Sequence, residues 1–285
     1  MHIPVLVAEV LAQFEGRKLL TFFDGTLGMG GHARALLEAH PEIETYIGCD
    51  RDPAALAKAE QALAGWKKKV RFVHGSYAEV AEWVDGCIDG MLIDAGVSSM
   101  QLDERERGFS FQGSGPLDMR MDPTQDLTAE QIINRASEEE LARIFFEYGE
   151  ERRSRPIARA IVAARKKKRI RTTEELVEVI RPVARGKKKL HPATLVFQGL
   201  RIAVNDELKG LEMGIQEGIK VLCPGGRIAV ISFHRLEDRI VKNAFRSEKA
   251  VQILTKKPIV PDRKEIRENP RCRSAKLRAA EKRAE

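Results

Sequence analysis

The sequence predicts an α/β protein, with a mostly parallel sheet of seven strands, right-handed crossover helices and an inserted helical domain. Three observations predict it. Short apolar runs ending in an acid or a glycine alternate with amphipathic segments at the pitch of β-α-β units. The apolar lead Leu19-Leu20 and Phe22-Phe23 runs into Asp24 and the turn Gly25-Thr26-Leu27-Gly28-Met29-Gly30-Gly31, with a helix-like stretch at 33 to 37 behind it. Past residue 94 the alternation stops, and it resumes only near residue 205.

Taken in order, Val5, Leu6, Val10, Leu11 and Phe14 mark a short amphipathic helix. Strand 1 ends on Asp24, and the helix after the glycine turn runs to about residue 40. Residues 45 to 50 form strand 2, with Asp50 at its C-terminal edge. Pro53 suits the first turn of the next helix, to residue 63. Strand 3 spans 70 to 74, a helix lies near 79 to 84, and strand 4 spans 88 to 94. Residues 97 to 120 read as loop, long enough to expect a function. Between 128 and 185 only helices are expected, capped by Thr128, by Ser137 with Glu140, and by Thr172 or Thr173. A helix from about 205 to 222, a turn at Pro224-Gly225-Gly226 and strand 5 at 227 to 233 resume the pattern. A helix at 236 to 246 and strands near 251 to 255 and 274 to 279 complete it. The expected division is 1–103, first part of the sheet domain; 104–204, loop and helical insertion; 205–285, second part.

The 285 residues are 43% apolar, enough for a sizeable core. No apolar run is long enough to span a membrane, and the N-terminus lacks a secretory signal pattern. Cys49, Cys87, Cys223 and Cys272 are scattered without a Cys-x-x-Cys pair. A disulfide framework or zinc knuckle is therefore not expected, and a reduced, cytoplasmic protein is. The six histidines show no ligand spacing with acids or cysteines, so no metal is expected. The net charge of +7 is unevenly spread: residues 151 to 190 carry fifteen Lys/Arg against four acids, and residues 256 to 285 carry eleven against five. Basic stretches on an acidic body point to a polyanion, nucleic acid foremost; a solvated helix face is the alternative.

Asp50, 26 residues after Asp24, is placed to accept from both hydroxyls of a ribose. That suits NAD and S-adenosylmethionine equally. The glycine spacing departs from Gly-x-Gly-x-x-Gly, and Asp24 and Asp94 are acceptors for an amino group, which favours S-adenosylmethionine.

Longer strings are more specific. They include Asp24-Gly25-Thr26, Gly28-x-Gly30-Gly31-His32, Asp50-Arg51-Asp52 and Asp94-x-Gly96-Val97-Ser98-Ser99-x-Gln101-Leu102-Asp103. Others are Arg107-Gly108-Phe109-Ser110-Phe111, Gly115-Pro116-Leu117-Asp118-Met119-Arg120-Met121, His191-Pro192-Ala193-Thr194 and Ser232-Phe233-His234-x-Leu236-Glu237-Asp238-Arg239. Over essentially its whole length the chain resembles the small-subunit ribosomal RNA methyltransferase H family (RsmH, formerly MraW). Ala95 and Met100 depart from the usual pattern. The resemblance implies a Rossmann-like class I methyltransferase that uses S-adenosyl-L-methionine to methylate N4 of a cytidine in the decoding centre (P site) of 16S rRNA. It implies 16S rRNA as partner, within the 30S subunit, and leaves monomer or homodimer open. By motif match the cofactor contacts fall on Gly30, Gly31, His32, Asp50, Tyr77, Asp94 and Gln101.

Methyl transfer to a cytosine amine needs that amine held in line and relieved of a proton. Asp94, with Ser98 or Ser99, is the candidate catalytic set, because ligands sit at the C-terminal edge of such sheets; Asp94 as a simple turn cap is the alternative. Phe109 and Phe111 are candidates to stack on the base, or else loop-packing residues. His234 is a candidate to orient substrate, or else part of a salt-bridge cluster, and His191 belongs to substrate-side architecture. Two other readings compete: an NAD-dependent oxidoreductase and a non-catalytic RNA-binding factor.

Overall fold

The computed structural model describes residues 4 to 184 and 191 to 284. The chain divides into two compact units, Met1–Gly96 with Leu208–Glu285, and Val97–Glu207. They are called here the sheet unit and the helical unit.

The sheet unit starts with α1 (Val7–Phe14), β1 (Thr21–Asp24), α2 (Gly31–Ala39), β2 (Thr45–Asp50), α3 (Pro53–Ala62), β3 (Val70–His74), α4 (Val80–Trp83) and β4 (Ile88–Asp94). The helical unit contributes α5 (Ser99–Asp103), α6 (Ala129–Arg135), α7 (Glu138–Glu147), α8 (Ser154–Arg165), α9 (Thr173–Ile180) and α10 (Thr194–Asn205). Then follow α11 (Glu207–Val221), β5 (Leu222–Ser232), α12 (Arg235–Ser247), β6 (Val251–Ile253), α13 (Arg263–Glu268) and β7 (Lys276–Lys282). The seven strands are ordered β3-β2-β1-β4-β5-β7-β6, with β7 antiparallel to β5 and β6.

Alternation along each strand splits the apolar side chains between the two faces. Phe22, Tyr46, Leu92, Ala229 and Ile231 pack on one face with Phe14 and Leu36, while Phe23, Ile47, Met91, Ile228 and Val230 pack on the other with Ile215 and Phe245. Burial on both faces explains why these strands read as unbroken apolar runs. The helical unit has its own core around Phe109, Ile133, Phe145, Ile161, Leu176 and Phe197. Thr128, Ser137 and Thr172 do cap its helices, Thr172 in a reciprocal box with Glu175.

Four sequence expectations need correction. The stretch 97 to 120 is not all loop: it holds α5 and a short 3₁₀ turn at Arg105–Arg107. The helix expected at 205 to 222 is preceded by a separate one, α10, broken from α11 at Asp206, whose φ of 48° is left-handed. Pro224-Gly225-Gly226 does not precede β5 but is extruded from it. Ile88 pairs with Leu222 and Gly90 with Arg227, so four β5 residues lie between those pairs against one of β4. Finally, Cys87 and Cys223 form a disulfide between the starts of β4 and β5, across a sequence separation of 136. The expectation of a reduced protein without a disulfide framework did not foresee this bond, because nothing local in the sequence reports a pairing that parallel strands create at long range. Cys49 and Cys272 are free and buried.

Candidate active site

In the sheet unit, β2, β1 and β4 are parallel neighbours, so their C-terminal ends share one edge. The sequence ends all three on aspartate: Asp50, Asp24 and Asp94. Parallel pairing thus collects three carboxylates that lie 26 and 44 residues apart in the chain.

Asp24 accepts from Thr26 N–H at 3.1 Å and from the Tyr46 hydroxyl at 2.9 Å. Burial raises its pKa to about 7 against the lowering effect of those two bonds, and Asp50 adds to the rise. Asp50 accepts from Gly28 N–H and Asp52 N–H, at 2.7 and 2.8 Å. Burial holds it at about 6. The turn between them needs glycine. Gly30, the N-cap of α2, has φ 81°, a left-handed conformation that side chains disfavour. A Cβ on Gly25 would come within 2.6 Å of Tyr77 Cβ, so Tyr77 packs where only glycine leaves room.

Asp94 is the most perturbed of the three. Its backbone N–H donates to Thr26 Oγ1 at 2.6 Å. Its Oδ2 lies 3.9 Å from His32 Nδ1, and its buried Oδ1 has no hydrogen-bond partner. Burial, then the charges of Asp24 and Glu237, push its pKa up to about 8. His32 Nε2 donates to Val5 O at 2.8 Å. A carbonyl only accepts, so the proton sits on Nε2 and Nδ1 is the nitrogen turned toward Asp94. Past β5, Glu237 is buried and accepts from Phe233 N–H at 2.7 Å and His234 N–H at 3.2 Å. His234 caps α12: its Nδ1 accepts from Glu237 N–H at 3.4 Å. His234 Nε2 is 3.0 Å from Glu237 Oε1 but not aligned to bond it. Asp238 is drawn away to Arg278 and Lys276, at 2.8 and 3.3 Å.

The helical unit holds the remaining candidates. Ser98 and Gln101 form a reciprocal capping box on α5, Ser98 Oγ accepting from Gln101 N–H and Gln101 Oε1 from Ser98 N–H. Ser99 opens that helix. Phe109 is buried in the core, with the Arg107 guanidinium 6.0 Å from its ring centroid. Phe111 stacks on His191 with centroids 4.5 Å apart and ring planes 10° apart, and meets Phe197 edge-on at 5.4 Å. His191 is exposed, and its Nδ1 accepts from Ala193 N–H. So the structure groups Asp24, Asp50, Asp94 and His32 in one unit, and Phe111 with His191 in the other.

A family model described as the MraW methylase family matches residues 1–283. The chain belongs to the MraW methylase family. Relatives named ribosomal RNA small subunit methyltransferase H agree with it. The one from Chlamydia trachomatis serovar L2 is 51% identical, covering 99% of this chain and 96% of its own. Those from Trichormus variabilis and Persephonella marina are each 50% identical, over 92% and 99% of their own lengths. Among solved structures, the N-methyltransferase NodS from Bradyrhizobium japonicum with S-adenosylhomocysteine covers 97% of this chain and 85% of its own at 7% identity, TM-score 0.47.

This MraW methylase is built on a Rossmann-like sheet. Its residues fit S-adenosylmethionine, the donor that the family resemblance implies. Three buried carboxylates with raised pKa values, one oxygen lacking any partner, suit a ligand bearing positive charge and hydroxyl donors. Among the described residues no group of His, Cys, Asp and Glu is arranged to hold a metal, and no helix is long and apolar enough to cross a membrane.

Sequence reasoning missed Thr26, Tyr46 and Glu237. Thr26 positions the Asp94 backbone, Tyr46 holds the Asp24 carboxylate, and Glu237 fixes the turn after β5. Signals existed for two of them. A tyrosine inside a fully apolar strand needs a buried partner, and His234-x-x-Glu237 has capping-box spacing.

Proposed function

We propose that this protein is a small-subunit rRNA methyltransferase that methylates the exocyclic N4 of a cytidine in the decoding centre of 16S rRNA, within the 30S subunit. The names of relatives at about half identity support the rRNA substrate. One observation carries the amine assignment: Asp94 Oδ1 is a buried acceptor at the ligand edge with no partner of its own.

The cytosine amine is a poor nucleophile because its lone pair is delocalised into the ring. An acceptor on one of its N–H bonds localises that pair, and Asp94 Oδ1 is the acceptor. A carboxyl with pKa raised toward neutrality is also suited to take the proton that N4 must lose. The bound donor supplies an electrophilic methyl group. Asp50 holds its ribose hydroxyls, and Gly30, Gly31, His32, Tyr77 and Gln101 are the other donor contacts in this reading. Ser98 and Ser99 assist from the start of α5, Ser98 through the cap it makes with Gln101. Phe111 and His191 form the stacking platform for the displaced base. Phe109 belongs to the core against which Phe111 packs, and His234, at the start of α12, is a further substrate contact in this reading.

The test is transfer of labelled methyl from S-adenosylmethionine to 30S subunits and to naked 16S rRNA, followed by nucleoside analysis. N4-methylcytidine on 30S subunits is the expected product, and any other methylated nucleoside sinks the assignment. Full transfer by Asp94→Asn at saturating donor would remove Asp94 from its role.

A further inference from the structure

We infer that the connection between β6 and β7, residues 254 to 275, is a phosphate-binding surface for RNA that the sheet unit itself carries beside the reacting edge. The inference rests on the reading of RNA as substrate and gives one of its backbone contacts a place.

Topology puts the connection there. Asp94 pairs with Ile231, Ile231 with Leu277, and Leu277 with Ile259 of the connection. These four residues form one hydrogen-bonded row across the sheet. With neighbouring strands about 4.8 Å apart, Ile259 lies about 14 Å from Asp94. That is within reach of an RNA strand whose target base sits at Asp94.

The scaffold is fixed. Ile259 exchanges two backbone hydrogen bonds with Leu277, at 2.9 and 2.8 Å. Ile259 and Ile266 pack against the sheet core, and Cys272 and Ala275 are buried in it. Glu265 on α13 accepts from Leu6 N–H at 2.7 Å, tying the connection to the segment whose Val5 carbonyl holds His32.

On this scaffold Lys256, Lys257, Arg263, Lys264, Arg267 and Arg273 are all exposed. None of the six has an ion-pair partner among the described residues. Two of the three acids on the connection are turned to the backbone: Asp262 accepts from Lys264 and Glu265 N–H, and Glu265 from Leu6 N–H, while Glu268 is exposed. Elsewhere cations of the same unit are paired, as Lys276 and Arg278 are with Asp238. Val260, 57% exposed, gives the cationic surface an apolar spot for a sugar or base. Fixed, unpaired cations on ordered backbone are what phosphate contacts require, since counterion release rather than base reading drives them.

The experiment is equilibrium binding of a mixed-sequence single-stranded RNA of about 20 nucleotides across a salt series. The K256Q/K257Q/R263Q/K264Q/R267Q protein is expected to bind about 10-fold or more weakly near 0.1 M salt, with the log–log salt slope reduced by about three. Its S-adenosylmethionine affinity and thermal midpoint should match the wild type. Should that variant not fold, K256Q/K257Q lies outside any helix or strand and should reduce the slope by about one. Unchanged affinity and slope overturn the inference. So does weakened binding to 30S subunits with unchanged RNA binding, which would mark a face for an acidic protein. Wild-type protein that binds RNA but forms no N4-methylcytidine would defeat the cytidine reading alone, because this measurement needs no methyl transfer.

Discussion

The two units treat their buried polar groups in opposite ways. In the helical unit they are engaged with one another. Asn205 accepts from Met121 N–H and donates to the Met119 and Arg201 carbonyls. Arg201 grips Glu207 with two bonds, Arg120 grips Asp118 with two, and Arg165 donates to the carbonyls of Ile133 and Ala136. In the sheet unit three carboxylates crowd one edge with raised pKa values, and Asp94 Oδ1 and His234 Nε2 lack partners. Among the described residues the helical unit has closed its polar network; the sheet unit has left one open. An open buried network costs stability and is tolerated where a ligand completes it.

The sharpest way to break that contrast is at Asp94. Replacing it with asparagine should slow methyl transfer to 30S subunits by about 10²–10³-fold at saturating donor, the loss seen when one preorganised polar group is removed from a reacting centre. A milder loss would mean that the open oxygen serves only to hold the donor. In the closed network Asn205→Ala should act on stability, costing about 2 kcal/mol by stranding the Met121 N–H and the Met119 carbonyl. Urea unfolding of the two variants side by side separates the cases, since Asp94 Oδ1 has no partner to strand and Asp94→Asn should not destabilise.

Acidity divides the units next. Asp24, Asp50 and Asp94 hold protons in the folded state that the unfolded chain releases near pH 4. Their contribution is therefore full below about pH 4 and is lost as pH rises through about 6 to 8. The donor-free protein should lose several degrees of thermal midpoint over that interval, and Asp94→Asn should flatten the upper part. Glu175 behaves the other way. Lys168 first, then the Arg171 N–H, holds it near 2, so its contribution is present above pH 4.5 and lost below it. A midpoint flat between pH 6 and 8 would contradict the open network.

The smallest effect concerns the basic run of the helical unit. Arg165 and Lys168 are held internally, and Arg169 pairs with Glu130, so only Lys166 and Lys167 of that run extend unpaired among the described residues. Arg185, Lys187, Lys188 and Lys189 lie outside those residues. Lys166→Glu with Lys167→Glu should weaken RNA binding a few-fold and lower the salt slope by about one, read by the same titration. The same change at Lys168 should instead loosen the start of α9.

Much of the fold was legible because alternation and caps are local. Asp24, Asp50 and Asp94 were readable as strand-end acids, and Thr128, Ser137 and Thr172 as caps. The engagement of polar side chains was less legible. Ser98 entered only as a candidate helper of Asp94, although Ser98-x-x-Gln101 carries the spacing of the cap it makes. Arg165 looked like one cation among many, because its two carbonyl partners lie about thirty residues upstream. Charge runs reveal composition; which cations are bound internally depends on contacts that only the folded chain supplies.

The Cys87–Cys223 bond makes the protein a covalent ring with two tails, and every described residue of the helical unit lies on the ring. A protease that cuts once between residues 88 and 222 therefore opens the ring without dividing the molecule. Nicked protein should run as a single chain on a denaturing gel until a reductant is added, and then separate into two fragments.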